Sequence, residues 1–417
     1  MKSHPVLDRQ AGAGIRMGLG RVREFLASLG DPQGRYPVVH VGGTNGKGSV
    51  CRMVDAVYRA HGRRVGLHTS PHLQAVNERF FVDGDPIGDA DLEALLLFVD
   101  GRVSAWAAGA LPPDESWPLT YFEFTVAAAF QAFADAEVDV GVIEVGMGGR
   151  LDATNVVNPA ATAIVSIGLD HCDELGRDHV SIAGEKAGII KPGVPVVVGP
   201  LPGEALQVIR SVAAERGAPL SVWGVDFEAF GAPNAFRYAG TTILDGLELG
   251  LLGDHQVVNA GVAVRLVEVA GLPWSEAAVR AGLRGATNPG RLEWLAPDLL
   301  VDGAHNPAGA TTLANHLARM PRDRRRTLVL GGGTDKDIRG VAATLAPVVD
   351  RILTTAGTHG KARSPEDVAA ALAGLPVPVT AAGPLAEALT TARQGDLVVV
   401  AGSLYLVGEL RDLLGVV

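Results

Sequence analysis

The sequence predicts an α/β protein built on two doubly wound, mostly parallel sheets. Three observations carry this reading. Runs of β-branched residues ending in glycine-rich turns alternate with helical patterns from residue 36 onward, which is the mark of a parallel sheet with crossover helices. The same rhythm returns after residue 290. One of the first turns is a glycine loop set between a strand and a helix, where α/β proteins hold phosphate.

The strands expected in the first set are PVVHV (37–41), RVGLHTS (64–70), VDVGVIEVG (138–146), TAIVSIG (162–168) and VPVVVGP (194–200). The second set is LLVDGAHN (299–306), TLVLGGG (327–333), RILTTAG (351–357), VPVTAAG (377–383) and DLVVVAGS (396–403), each followed by an Ala/Leu-rich stretch of helical period. A chain of 417 residues allows two or three domains at about 150 residues each. ATNPGRLEW separates the two sets, and Asn288-Pro289-Gly290 within it breaks any helix. The expected division is therefore a nucleotide-binding domain over 1–287 and a smaller Rossmann-like domain over 288–417.

Hydrophobic residues at 47% and charged residues at 20% are ordinary globular usage. A net charge of −10 has the wrong sign for a protein that neutralises nucleic-acid phosphates. Two cysteines, Cys51 and Cys172, are too few for a disulfide framework and lack the spacing of a zinc site. The N-terminal MKSHPVLDRQAGAGIRMG lacks the apolar segment of a signal peptide, and no apolar run is long enough to span a bilayer. A cytoplasmic protein without membrane or nucleic-acid partners, and a monomer, is expected.

After PVVHV come Gly42-Gly43-Thr44-Asn45-Gly46-Lys47-Gly48-Ser49 and then the helical VCRMVDAVYRAHG. Glycines let backbone N–H groups turn inward on phosphate oxygens, the helix start adds partial positive charge, and Lys47 adds a full one. The loop departs from the common G-x-x-x-x-G-K-[ST] spacing, with an extra Gly48 before Ser49. Gly-Thr-Asn-Gly-Lys-Gly-Ser resembles the variant loop of the Mur ligase superfamily, and specifically its folylpolyglutamate synthase and dihydrofolate synthase branch. The resemblance extends over nearly the whole chain. It implies an N-terminal P-loop ATPase domain of Mur-ligase type, a C-terminal Rossmann-like domain, and ATP held by Thr44, Asn45, Gly46, Lys47, Gly48 and Ser49.

Phosphoryl transfer needs hard oxygen ligands for magnesium. Ser70, Glu144 and His171 each stand at or just beyond the end of an expected strand, where open α/β sheets bind ligands. Taken singly they also read as a helix cap, a strand-end charge and a turn histidine. The resemblance implies that these three positions bind magnesium, with two ions expected. Lys186 lies in SIAGEKAGIIKPG and alone reads as a surface lysine paired with Glu185 or as a buried amine able to add carbon dioxide. The intact E-K-A-G-I string resembles the family motif whose lysine is carbamylated, making Lys186 an additional metal ligand.

LTYFEFTVAAAF sets Tyr121 and Phe122 beside Glu123 at the head of a helical pattern, a spacing as compatible with core as with a ligand wall. The resemblance implies that Thr120, Tyr121, Phe122 and Glu123, with Leu151, Asp152 and Ala153, line a pterin pocket. It also brings Gly14, Ile15, Arg16 and Met17 to the pteroate. Ser70-Pro71-His72-Leu73 with Asn77-Glu78-Arg79 completes a further family string. Asn259, Arg291 and Asp302 can read a base, a phosphate and a ribose by their hydrogen-bonding chemistry, with capping or surface pairing as the plain alternative. The family places them at the nucleotide, across an interdomain cleft that closes about residues 286–291. His305, in the polar cluster Asp302-Gly303-Ala304-His305-Asn306-Pro307, completes the catalytic candidates Lys47, Glu144, His171 and Lys186.

The expected reaction is ATP-dependent ligation of L-glutamate to dihydropteroate, to reduced folates, or to both, through an acyl phosphate. A folylpolyglutamate synthase alone, another Mur-type amino-acid ligase, and a P-loop kinase or NTPase are the competing readings.

Overall fold

The computed structural model describes residues 4–11, 14, 16–110, 118–358, 360 and 362–416. The chain divides into two compact units. One holds the chain up to Gly250 together with Gln256–Thr287, and the other holds Leu251–His255 together with the chain from Asn288 onward. The short 251–255 segment belongs with the second unit, where Asp254 pairs with Arg319 and Gly253, at φ +97°, packs against Leu292.

The first unit is built on an eight-stranded sheet. Its strands are β1 (Val38–Gly42), β2 (Val65–His68), β3 (Phe81–Val82), β4 (Asp85–Pro86), β5 (Val140–Glu144), β6 (Ala161–Ile164), β7 (Val196–Val198) and β8 (Leu220–Val222), in the order β4-β3-β2-β5-β1-β6-β7-β8. The six strands from β2 to β8 across this order run parallel. Every residue of β1, β5 and β6 is buried, as a sheet covered on both faces requires. β3 and β4 form an antiparallel edge hairpin. Its turn residues Asp83 and Gly84 both have positive φ, the geometry that Asp-Gly turns adopt.

The C-terminal ends of β1, β5, β2 and β6 lie along one edge of this sheet, where ligands of open α/β folds bind. β1 runs into the glycine loop, and Gly46 in the left-handed region starts the helix Lys47–Ala60. The helix Glu276–Gly285, capped by Ser275, packs backbone to backbone against it. A Cβ on Gly282 would sit 2.6 Å from the Val57 backbone, so the close approach needs glycine at that point.

The same unit carries a small antiparallel sheet that the sequence reading did not anticipate, made of β9 (Glu228–Ala232), β10 (Ala235–Ala239) and β11 (Ile243–Leu247). Tyr238 on β10 donates at 2.6 Å to Glu268, which ties the sheet to the helix His255–Val269.

The second unit is a six-stranded sheet. β12 (Glu293–Ala296), β13 (Leu299–Val301), β14 (Arg326–Leu330), β15 (Arg351–Ala356), β16 (Val379–Pro384) and β17 (Leu397–Ala401) follow the order β12-β13-β17-β14-β15-β16. All neighbours are parallel except the β12–β13 pair. Its core is Leu300, Leu313, Leu328, Leu330, Val341, Ile352 and Val399 with their neighbours. The two-sheet α/β architecture is therefore the one expected. Among the described residues no helix is long and apolar enough to cross a membrane, and both cysteines are free thiols.

Candidate active site

The glycine loop is held from the side by the segment after β6. The Thr44 amide donates to the Ser166 carbonyl at 2.9 Å, and the Thr44 hydroxyl donates to the Gly168 carbonyl at 3.2 Å. The Asn45 amide donates to the Ser166 hydroxyl at 2.9 Å, and that hydroxyl donates back to the Asn45 carbonyl at 2.8 Å. Gly43, at φ +147°, and Gly46, at φ +85°, permit this tight path. A Cβ on Gly46 would lie 2.6 Å from Oδ1 of Asn259. Asn259 donates to Gln256 at 2.9 Å, and Gln256 donates to the hydroxyl of the buried Ser49 at 3.2 Å. The loop, the start of its helix and Asn259 thus form one assembly, with Gly48 in the first helical turn.

Two lysines meet at this loop. Lys47 donates to the carbonyls of Gly43 and Thr44 at 3.1 and 3.2 Å. Lys186, on the helix His179–Ala187, is buried and donates to the same Gly43 carbonyl at 2.9 Å. Burial, and then the Lys47 charge, push the Lys186 amine down to about 7, against the pull of Asp170 and Asp152. Glu185 does not pair with it, because its carboxylate is taken by Arg150 at 2.8 Å.

Ser70 follows β2 and Glu144 ends β5, and the Ser70 amide donates to the Glu144 carboxylate at 3.0 Å. The Glu144 carboxylate is close enough to the buried Cys51 to help raise its thiol, after burial itself, which leaves that thiol inert. His171 lies on the segment after β6 of the same sheet. It occupies the left-handed region at φ 50° before the short helix Cys172–Leu175, with its ring 39% exposed and Nε2 4.0 Å from Asp170. Among the described residues no three His, Cys, Asp or Glu side chains gather into a cage. Magnesium keeps several waters and takes one or two carboxylates beside substrate phosphates, so a hydroxyl and a buried carboxylate at the strand ends fit it.

Thr120 caps the helix Tyr121–Asp135, and Glu123 closes a capping box. The Thr120 amide donates to Glu123 at 2.8 Å and the Glu123 amide to the Thr120 hydroxyl at 3.2 Å. Arg21 adds a 3.0 Å ion pair to the same buried carboxylate. Phe122 is different, being only half-buried. Its ring lies over Gly146, where a Cβ would be 2.4 Å away, just beyond Glu144. The Tyr121 ring stacks under the Arg79 guanidinium.

Asp152 caps the turn Ala153–Val156 and accepts from the Met147 and Thr154 amides at 2.8 and 3.0 Å. Burial raises its carboxyl while those bonds and Lys47 lower it. Leu151 is half-buried and Ala153 buried beside it. Gly14 and Met17 are exposed and Arg16 half-buried, and Ile15 lies outside the described residues.

The Ser70–Leu73 turn is organised by residues that the sequence reading quoted only as a string. Glu78 accepts from the amides of Leu73, Gln74 and Ala75 at 2.7 to 2.9 Å. Arg79 donates to His72 at 2.9 Å. Ser166 and Gly168 are partners of the phosphate loop that no local motif marks. Their signal was position, on the turn directly after a strand of the same sheet.

In the second unit Asp302 is buried at the end of β13 and accepts from the amides of Leu292 and Ala304, both at 2.8 Å. Burial raises its carboxyl, and Arg291 is the largest opposing influence. A Cβ on Gly303 would lie 2.7 Å from the Arg291 guanidinium, so Arg291 crosses that turn. His305 Nδ1 donates to the Gly303 carbonyl at 2.8 Å, and Asn306 caps the helix Pro307–Arg319.

A lysine-bearing phosphate loop on a parallel sheet, in a chain whose residues 290–404 match the Mur ligase glutamate ligase domain, defines an ATP-dependent ligase of the Mur type. The chain is 41% identical to the dihydrofolate synthase/folylpolyglutamate synthase of Mycobacterium tuberculosis over 86% of its own length and 78% of the relative's. Its fold matches E. coli FolC in complex with DHPP and ADP at a TM-score of 0.89, with 33% identity over 98% of this chain and 96% of that one. It also matches the bifunctional folylpolyglutamate synthase/dihydrofolate synthase of Yersinia pestis complexed with AMPPNP and a Mn ion, at a TM-score of 0.87, with 34% identity over 98% and 96%. The chain belongs to the dihydrofolate synthase/folylpolyglutamate synthase family.

Proposed function

We propose that this protein is the bifunctional ligase, joining L-glutamate to dihydropteroate and to reduced folates at the expense of ATP. The observation that carries the reading is the pair of lysines, Lys47 and Lys186, on one carbonyl of a glycine loop. A carboxylate cannot be attacked by an amine at useful rates because oxide is too poor a leaving group. Transfer of the γ-phosphoryl of ATP to that carboxylate gives an acyl phosphate, whose phosphate leaves readily. Lys47 and the positive end of the helix that starts after Gly46 offset charge on the transferring group. The α-amine of glutamate adds to the acyl carbon, loses a proton, and the tetrahedral adduct collapses to amide and phosphate.

A divalent metal, magnesium in the cell, would be held by Ser70 and Glu144 with His171, and would supply Lewis-acid neutralisation of the phosphates. The Lys186 amine, with its lowered proton affinity, is suited to carbamylation, which would turn it into an added carboxylate. The half-buried Phe122 over Gly146 is the aromatic surface best placed for a pterin ring. Thr120, Glu123 and Asp152 shape that region by fixing its backbone. Asn259 on the first unit, and Arg291, Asp302 and His305 on the second, would serve the nucleotide and the incoming glutamate. A cytoplasmic monomer fits this role.

The test is ADP and phosphate release by the purified protein with ATP, magnesium and L-glutamate. Release with both dihydropteroate and tetrahydrofolate is expected. Release with tetrahydrofolate alone restricts the enzyme to chain extension, and release with neither overturns the folate assignment.

A further inference from the structure

His40 lies on β1 just ahead of the glycine loop and is fully buried. Its Nε2 is 2.9 Å from the Thr154 hydroxyl, and that hydroxyl is 2.5 Å from Oδ1 of Asp152. Three donors converge on the Asp152 carboxyl: the amides of Met147 and Thr154 and the Thr154 hydroxyl. That set suits the ionised form, which only accepts. The Thr154 hydroxyl hydrogen therefore points to Asp152, and the same oxygen is left to accept from His40. His40 must carry its proton on Nε2.

Burial, and then the Lys191 charge, hold the ring neutral by pushing it down to about 3. Nδ1 is then a bare acceptor. Among the described residues neither Nδ1 of His40 nor the Thr162 hydroxyl has a hydrogen-bond partner, and the two residues stand side by side in register on β1 and β6.

The chain of bonds runs from the phosphate-loop strand through His40 and Thr154 to Asp152, and ends at Met147 on the turn that follows Glu144. We infer that His40 is a positioning residue of this ligase, which, as the Nε2–H tautomer, fixes Thr154 and Asp152 and, through the Met147 amide, the turn that follows Glu144. The inference rests on the ligase reading above. It assigns His40 no contact with substrate.

The first test needs no turnover. In the full-length protein labelled with 15N-histidine, the His40 resonances should show a protonated Nε2 and a bare Nδ1, unchanged over a range of about pH 6 to 9. An Nδ1–H tautomer overturns the inference. The second test compares His40→Leu, which removes both nitrogens, with His40→Gln, which keeps a donor for Thr154. His40→Leu should lower kcat at least about tenfold with a smaller change in KM for ATP, and His40→Gln should recover most of it.

Combining His40→Leu with Thr154→Val should add little further loss of kcat, because both cut one chain. Wild-type kcat in His40→Leu, equal impairment of the Leu and Gln variants, or multiplying effects in the double variant would each overturn the role. Should His40→Leu fail to fold, His40→Gln against Thr154→Val carries the same comparison. Wild-type protein that forms no glutamate-dependent ADP would sink the ligase reading alone, since the tautomer is read without activity.

Discussion

Lys47 and Lys186 donate to a single acceptor, the carbonyl oxygen of Gly43, at 3.1 and 2.9 Å. Two ammonium groups at one oxygen repel each other, and the buried member yields. Lys186 falls from 10.5 to about 7 through burial first and the Lys47 charge second. Its folded-state affinity for a proton is thus below the unfolded one. Between about pH 7 and 10.5 the unfolded chain binds more protons, so this group's contribution to stability rises with pH across that window. Below about pH 7 the buried ammonium costs on the order of 2–5 kcal/mol relative to an uncharged side chain. Metal- and nucleotide-free Lys186→Met should therefore melt above wild type at pH 6, with the gap closing towards pH 9. A gap independent of pH in thermal melts would show that Lys186 is not strained by charge.

The same amine, neutral near physiological pH, is the group expected to take up carbon dioxide. Lys186→Ala should lose about 10²–10³ of glutamate-dependent ADP formation, and millimolar acetate or formate should restore part of it by standing in for the carbamate. Lys47→Ala should lose a similar factor without rescue, because a small anion cannot replace a cation. Steady-state assays of both variants with and without the carboxylate make the check. Rescue of neither variant would argue against a carboxylate at position 186.

Gly46 and Gly62 separate backbone strain from steric closure. Both have φ near +80°, at +85° and +80°, but only at Gly46 would a Cβ meet another group, Asn259 Oδ1 at 2.6 Å. Gly62→Ala should cost roughly 1–2 kcal/mol of stability and leave activity intact. Gly46→Ala should cost more, by pushing Asn259 off its Gln256 contact, and should weaken binding of AMPPNP at least about tenfold. Denaturant melts and calorimetry on the two variants give the comparison. Equal nucleotide affinity in both would show that Asn259 does not shape the phosphate loop.

Local motifs were legible before the fold was known, and long-range pairings were not. The glycine loop announced itself because phosphate binding needs a strand, glycines, a lysine and a helix in immediate succession. The union of Lys186 with Gly43 joins residues 143 positions apart, and no local pattern encodes it. Sequence alone pairs Lys186 with Glu185, whereas helix geometry turns the neighbours to different sides and gives Glu185 to Arg150. The small sheet of β9 to β11 lacks the β-branched runs that mark the other strands, and its signal was the alternation of buried Phe236 and Tyr238 with less buried neighbours on β10. Thr120 and Glu123 carry the T-x-x-E spacing of a capping box, a local signal that a ligand-wall reading passes over.

That last pair supports a discriminating experiment at the start of the helix Tyr121–Asp135. Glu123 is buried with Arg21 and the Thr120 amide on its carboxylate. Its removal leaves a partly buried guanidinium unpaired and the helix start uncapped. Glu123→Ala should therefore cost about 2–4 kcal/mol of stability, seen as a lower midpoint in urea, and should lower Vmax only through loss of folded protein, with KM for the pteroate or folate substrate little changed. Phe122 is only half-buried and rests over Gly146, so Phe122→Ala should cost less stability than a full core truncation at about 3–5 kcal/mol. It should raise KM for the pterin-bearing substrate about tenfold or more, with KM for ATP and glutamate little changed. The two variants thus move different observables although their residues are adjacent. A Phe122→Ala enzyme with wild-type KM for dihydropteroate and tetrahydrofolate would remove Phe122 from the substrate wall and return it to the core.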